Sequence, residues 1–265
     1  MRLDLDHAAV LVTGGTRGLG LAIGLALARH GARAWLTHRW ASADEDEIRR
    51  LFAAGGAPEP RIVEADVAND DDAEVLLDRI AAEHSGVDVF VSNVCVASRG
   101  GSLDALSRRD LLTSLRYSAW PTLVYANAIE QRFGKLPDTI IATSSDGPDH
   151  HYPGYDYVAS SKAALEASCA DIARRTEGTA TRSFVLRTRQ VDTASFAAIF
   201  PSEAQELVAN FEHFAISPAD AGNAAVALVS GLLDGLHGQV LSVDKGATFM
   251  DNVMTAGPLL QGGLS

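Results

Sequence analysis

The stretch Thr13-Gly14-Gly15-Thr16-Arg17-Gly18-Leu19-Gly20 lies between the apolar run Ala8-Ala9-Val10-Leu11-Val12 and an apolar helical stripe. A strand, a glycine-rich turn and a helix, in that order, aim unpaired backbone N–H groups and a positive helix end at a pyrophosphate. The spacing is looser than Gly-x-Gly-x-x-Gly, and a glycine trio by itself also suits an ordinary tight turn. Its setting decides between the two, because it stands directly behind a strand-like run and ahead of a long βα alternation. The stretch reads as a dinucleotide site whose residues are Gly14, Thr16, Arg17, Gly18, Leu19 and Gly20.

The rest of the chain fits one large α/β domain spanning residues 1–265. With 265 residues, 47% of them hydrophobic, it can bury a single three-layer core. Its 22 basic and 34 acidic residues leave a net charge of −12, which argues against nucleic acid or an anionic membrane as the main partner. Cys95 and Cys169 sit in apolar contexts without metal spacing and read as buried, reduced thiols. The longest nearly apolar run, Gly18 to Ala28, is well short of the roughly 20 residues that cross a bilayer, so a cytoplasmic protein is expected. Lys135, Lys162 and Lys245 are the only lysines in a chain that otherwise uses arginine, which singles out Lys162 inside its helix.

Taken in order, Leu19, Ile23, Ala26 and Leu27 form the apolar face of the first helix, with Ala22 and Gly24 small enough for close packing on a sheet. The second strand, Ala34 to Thr37, leads into His38-Arg39. No Asp or Glu stands at 37–40 to hold ribose hydroxyls, while Arg39 and Arg17 can both reach there. That pattern favours a 2′-phosphate and hence NADPH; a pair of solvated arginines is the plain alternative. A surface helix follows over Asp44 to Ala54, with Glu45 four residues before Arg49. Past the third strand, Arg61 to Glu64, stand Asp66 and Val67. Asp66 either takes the adenine amino group or caps the helix that begins with Asp70-Asp71-Asp72. The fourth strand, Val87 to Val91, delivers Ser92-Asn93-Val94-Cys95, and the fifth, Thr139 to Ala142, delivers Thr143-Ser144-Ser145 to the same edge. Phe184 to Leu186 and Val240 to Val243 complete a doubly wound parallel sheet with helices on both faces.

Tyr155-Asp156-Tyr157-Val158-Ala159-Ser160-Ser161-Lys162 opens a helix with two tyrosines and the singled-out lysine. Together with the glycine turn and Ser145, this stretch makes the chain resemble the short-chain dehydrogenase/reductases, a single-domain Rossmann-type family, over nearly its full length. Most members place a catalytic Tyr four residues before the Lys, on one helix face; that slot is Val158 here. Tyr155, seven before, shares the lysine's face roughly 10 Å along the axis, whereas Tyr157, five before, points away. Tyr, six residues, then Lys is similar to the enoyl-acyl carrier protein reductases, as is Pro153-Gly154-Tyr155. Other segments depart from the family pattern. Ser92-Asn93-Val94-Cys95 replaces Asn-Asn-Ala-Gly, so that Asn93 carries over; Ser118 stands for the helix asparagine; Thr188-Arg189 replaces Pro-Gly; and Lys245 replaces a glycine.

The resemblance implies that NADPH reduces an enoyl thioester, that Tyr155 hydrogen-bonds the thioester carbonyl, that Lys162 holds the nicotinamide ribose and supplies positive charge, and that Ser145 lies on the substrate side. Val191 and Thr193 fit the segment that meets the nicotinamide amide. The implied substrate is an acyl thioester on acyl carrier protein, in fatty-acid or polyketide assembly. A ketoreductase using Tyr155 or Tyr157, and a nucleotide-binding homologue without turnover, are the rival readings. The resemblance also implies a homotetramer, with a subunit interface on a helix from about 116 to 133 that carries Tyr117, Trp120, Leu123, Val124 and Ala126. Arg187 and Arg189 are read either as phosphate ligands or as solvated loop arginines. His150 and His151 lack a third ligand at metal spacing, so no metal is expected. A substrate lid is expected at about 193–216, where Phe196, Ile199, Phe200, Leu207, Phe211 and Phe214 suit packing over an acyl chain.

Overall fold

The computed structural model describes residues 3–96, 98–189, 191 and 216–246. Seven strands are joined to helices in the order β1 (Ala9–Val12), α1 (Gly18–Ala28), β2 (Arg33–His38), α2 (Glu45–Ala54), β3 (Arg61–Glu64), α3 (Asp70–Ala81), β4 (Val89–Ser92), α4 (Arg108–Ser118), α5 (Trp120–Phe133), β5 (Thr139–Ser145), α6 (Asp156–Arg175), β6 (Arg182–Thr188), α7 (Pro218–Val229) and β7 (Val240–Val243). The sheet runs β3-β2-β1-β4-β5-β6-β7 and every pairing is parallel. Strand order reverses between β1 and β4, and Val12 is in register with Val91 there. This crevice at the carboxyl ends of the strands is where a doubly wound fold presents a ligand.

Both faces of the sheet are buried, which is why its strands read as continuous apolar runs. Val10, Val12 and Leu36 pack with Ile23 and Leu27 of α1 and with Ala221 and Ala225 of α7. Leu11, Trp35 and Phe90 pack on the opposite face with Leu76 and Leu77 of α3 and with Tyr125 and Ile129 of α5. The small residues of α1 divide their work between two neighbours. A Cβ on Gly24 would lie 2.8 Å from Leu36 Cδ2 on the sheet, whereas Ala22 and Ala26 lie against Gly222 of α7, whose Cβ would fall 2.8 Å from the Ala22 carbonyl oxygen.

Asp44 caps α2 by accepting a hydrogen bond from Glu47 N at 3.0 Å, and Arg49 reaches Glu45 one turn back at 2.6 Å. The cap of α3 is Asn69, which accepts from Asp71 N, so Asp66 has no capping role. The expected helix over 116–133 is two helices that break at Ala119. Pro121 explains the break, since proline has no N–H to continue the ladder and its ring clashes with the preceding turn. Tyr125 and Ala126 bury themselves in this chain's own core, where Tyr125 stacks on Phe90 at 5.7 Å between centroids. Trp120, at 55% exposed, is the one clearly solvent-facing member of the expected interface set.

Candidate active site

The glycine turn is held from two sides, by Thr37 and by Asn93. Gly14 N donates to Thr37 Oγ1 at 3.1 Å and Gly15 N to the Thr37 carbonyl at 3.0 Å. Asn93 Nδ2 donates to the carbonyls of Thr13 and Gly14 at 3.2 and 3.1 Å, and Thr13 Oγ1 accepts from Asn93 N at 3.1 Å. Gly14 and Gly18 have φ of 61° and 55°, the left-handed region that glycine enters without Cβ strain. Gly20 is required for a different reason: a Cβ there would fall 2.5 Å from both Asn93 Nδ2 and the Gly14 carbonyl. The first N–H groups of α1 have no intrahelical acceptor, and Arg17, its exposed N-cap, supplies no side-chain cap. A pyrophosphate fits this cradle on chemical grounds, since it offers the acceptors those N–H groups lack. Thr16 is buried beside the turn and Leu19 half-buried. Gly20→Ala is expected to weaken nucleotide binding at least about tenfold and to lower stability by about 1–3 kcal/mol, the range for overpacking. Calorimetric titration and thermal unfolding would check both; wild-type values in each would show that the close approach is dispensable.

At the adenosine end the structure ties together residues that the sequence reading kept apart. Arg39 Nη1 lies 3.5 Å from Asp66 Oδ2. Its guanidinium sits 3.7 Å from the ring centroid of Trp40 and 4.3 Å from that of Tyr117. Asp66 also accepts from Tyr117 Oη at 3.2 Å and from Ala68 N at 3.0 Å. Arg39 is thus a braced group and not a solvated one. The Val67 side chain is buried in the core beside α3, which leaves its main chain as the part that can meet a ligand.

The reacting end is assembled by β4, β5 and α6. Lys162 is 5% exposed and donates to the Thr143 carbonyl at 2.7 Å, where it bridges α6 to β5. Tyr155 is the N-cap of α6 and not its first helical residue. Its ring lies over Gly147, where a Cβ would come within 2.6 Å of the ring. Ser145 Oγ accepts from Gly147 N at 3.3 Å and so closes the turn after β5, beside the Tyr155 phenol whose acidity it raises. Burial drives the Tyr155 phenol well above the ordinary tyrosine range; Cys95, Asp146 and Tyr152 push the same way, and Ser145 pulls against them. At neutral pH this group is a protonated O–H donor on a half-buried residue. Tyr157 points away as its spacing requires, and its Oη accepts from Ser107 N at 2.5 Å. Val158, in the four-residue slot, is a core residue.

Several expectations change here. Arg187 and Arg189 are not solvated loop arginines: both are held by carboxylates of this chain. Arg187 grips Glu166 with Nε and Nη2, each at 2.7 Å, and pairs with Asp149; Arg189 Nε lies 3.0 Å from Asp146 Oδ2. The sequence reading missed Glu166, although it stands four residues after Lys162 and therefore on the same helix face. Cys169 is buried, and burial pushes its thiol up to about 12, but Cys95 is only half-buried and lies near Tyr155. Lys245 pairs with Asp220 at 3.8 Å. Val191 is buried and bridges Ile216. Thr193 and the expected lid, apart from Ile216, lie outside the described residues. Among the described residues no His, Cys, Asp and Glu cluster can hold a metal ion, and no helix is long and apolar enough to cross a membrane.

A parallel sheet of this order, with a glycine turn at its switch point and a Ser, Tyr and Lys set beside it, defines the doubly wound nucleotide-binding class of protein. The chain belongs to the short-chain dehydrogenase/reductase family of oxidoreductases: residues 14–248 match the family described as enoyl-(acyl carrier protein) reductase. It is 25% identical to the enoyl-[acyl-carrier-protein] reductase [NADH] of a Nostoc species over 94% of this chain and 99% of that one. It is also 30% identical to the 1-cyclohexenylcarbonyl-CoA reductase of Streptomyces collinus, over 59% of this chain and 55% of the relative. In fold it is similar to a 3-oxoacyl-[acyl-carrier protein] reductase from Brucella melitensis crystallised with NAD, with a TM-score of 0.81, 21% identity, and 92% and 98% of the two chains covered.

Proposed function

We propose that the protein is an NADPH-dependent reductase of carrier-bound acyl thioesters, acting on an enoyl thioester in fatty-acid or polyketide assembly. The observation that carries this reading is the tyrosine itself. Tyr155, seven residues before Lys162, is a protonated phenol beside Ser145, while the ordinary four-residue slot holds the aprotic, buried Val158. The family match and the full-length Nostoc relative support the enoyl-thioester part of this reading, although that relative is named as an NADH enzyme.

NADPH, when bound, supplies hydride to the β-carbon of the enoyl group. Tyr155 would then donate a hydrogen bond to the thioester oxygen as negative charge gathers there, with Ser145 beside that phenol, and a proton from solvent would complete the product at the α-carbon. A donor that stays neutral suits this role, because an enolate oxygen needs a hydrogen bond and not full proton transfer. Lys162, fixed on the Thr143 carbonyl, keeps donor capacity for the ribose of the nicotinamide half. Arg17 and Arg39 serve the 2′-phosphate, and the absence of Asp or Glu at 37–40 supports NADPH over NADH. We also propose a homotetramer, for which the exposed Trp120 is the supporting feature.

Nucleotide absorbance with crotonyl and acetoacetyl thioesters tests the assignment. NADPH oxidation with the crotonyl thioester is expected, with NADPH binding at least about tenfold tighter than NADH, a difference of about 1.4 kcal/mol. Oxidation with the acetoacetyl thioester alone would make the protein a ketoreductase. Oxidation with neither, while nucleotide still binds, would favour the homologue without turnover, and equal affinities for the two nucleotides would remove the role given to the arginines.

A further inference from the structure

Two arginines at the end of β6 each close on an aspartate of the loop between β5 and α6. Arg187 pairs with Asp149, and Arg189 with Asp146. Residues two apart at a strand's end share a side, so both reach the same loop. That loop carries Tyr152, which donates to Asp146 Oδ2 at 2.5 Å and packs edge-on against Tyr155 with ring centroids 5.9 Å apart. It ends at Tyr155.

The base of this arrangement is rigid. Arg187 is held by both oxygens of Glu166, one helical turn beyond Lys162, and Ser144 Oγ donates to the same carboxylate at 2.6 Å. Such a planar fork fixes direction as well as distance. The inner strap is nearly buried, with Arg189 and Asp146 side chains 15% and 12% exposed, whereas Asp149 is 58% exposed and meets water.

We infer that Arg187 and Arg189 are positioning residues, two electrostatic straps that fix the 146–155 loop so that the Tyr155 phenol meets Ser145. The catalytic part of this inference rests on the reading of Tyr155 as the donor. The straps do not bind nucleotide, so their loss is read in the loop and in turnover, not in cofactor affinity.

Asp149→Asn is the informative variant, because it leaves the Arg187–Glu166 fork in place and should fold. Amide hydrogen exchange over 147–155 is expected to quicken at least about fivefold, with the core unchanged. Turnover of the crotonyl thioester should fall by up to about fivefold while the NADPH dissociation constant moves less than about twofold, since misplacing a donor costs rate and not ground-state binding. Asp149→Glu should restore most of the rate. Raising salt to about 0.5 M should slow the wild type towards the variant but leave the variant unmoved, because the outer strap is screened. Wild-type exchange and turnover in both Asp149→Asn and Asp146→Asn would overturn the inference. If Tyr155→Phe retained full turnover while the loop exchange still quickened, the straps would stand as loop anchors and the assignment of Tyr155 would be what failed.

Discussion

Tyr155→Phe is expected to lower thioester turnover about 10²-fold or more, the scale for losing an acid or an oxyanion donor, while nucleotide affinity stays near wild type. The variant removes one oxygen from a ring that is otherwise seated on Gly147 and edge-on to Tyr152. Packing is preserved, so the loss reports the hydroxyl. Tyr157→Phe supplies the contrast. Its Oη accepts from Ser107 N, the N-cap of α4, and the side chain is buried. Its removal should cost stability of about 1–3 kcal/mol through the orphaned N–H, yet leave turnover largely intact. Steady-state kinetics and urea unfolding on the two variants separate the roles. A dead Tyr157→Phe beside an active Tyr155→Phe would reverse the assignment and favour the ketoreductase.

The pH dependence follows from the same burial. For an acid whose neutral form is favoured, the O–H persists to a higher pH than in a free phenol, so this group should impose no fall in rate from neutral pH up to about 10. A decline of the rate with an apparent pKa near neutrality, abolished in Tyr155→Phe, would contradict the neutral-donor mechanism.

The glycine turn, the seven strands and the residues that line the sheet's carboxyl edge were legible because each is a local pattern: a continuous apolar run, glycine spacing, or a strand end. What was not legible involved partners distant in sequence. Arg187 and Arg189 read as free or phosphate-binding cations because the carboxylates that hold them are distant in the chain, 21 and 38 residues away for Arg187. Arg39 and Asp66 carried separate expectations for the same reason; only the pairing of β2 with β3 brings them together. The apolar residues between 116 and 133 could not be divided in the same way, since periodicity marks a buried face without saying whose surface buries it; Ala126 is buried within this chain and Trp120 is exposed. Pro121 was visible throughout, and its power to end α4 outweighed the apolar run that crosses it.

Arg187→Met should produce the largest loss of stability in the molecule's polar interior. Arg187 and Glu166 side chains are 15% and 12% exposed, and their two-pronged contact is the main compensation for keeping both charges out of water. With the arginine gone, Glu166 keeps Ser144 as its described donor, a single hydroxyl against a whole carboxylate charge. Breaking a buried pair from one side costs about 3–5 kcal/mol, most of it the unpaired charge that remains. Asp149 adds little to this figure, because its side chain is mostly in water, where ion pairs are worth about 1 kcal/mol at most. The double variant Arg187→Met/Glu166→Met separates the two sources of cost. It removes both charges and leaves apolar chains of similar length, so it should recover much of the stability lost by the single variant. Urea unfolding of the wild type, the two singles and the double closes the cycle. A single variant that loses less than about 1 kcal/mol would place Arg187 among the screened surface cations. A double variant no more stable than Arg187→Met would instead show that the lost packing of the arginine stem, and not the orphaned Glu166 charge, sets the cost.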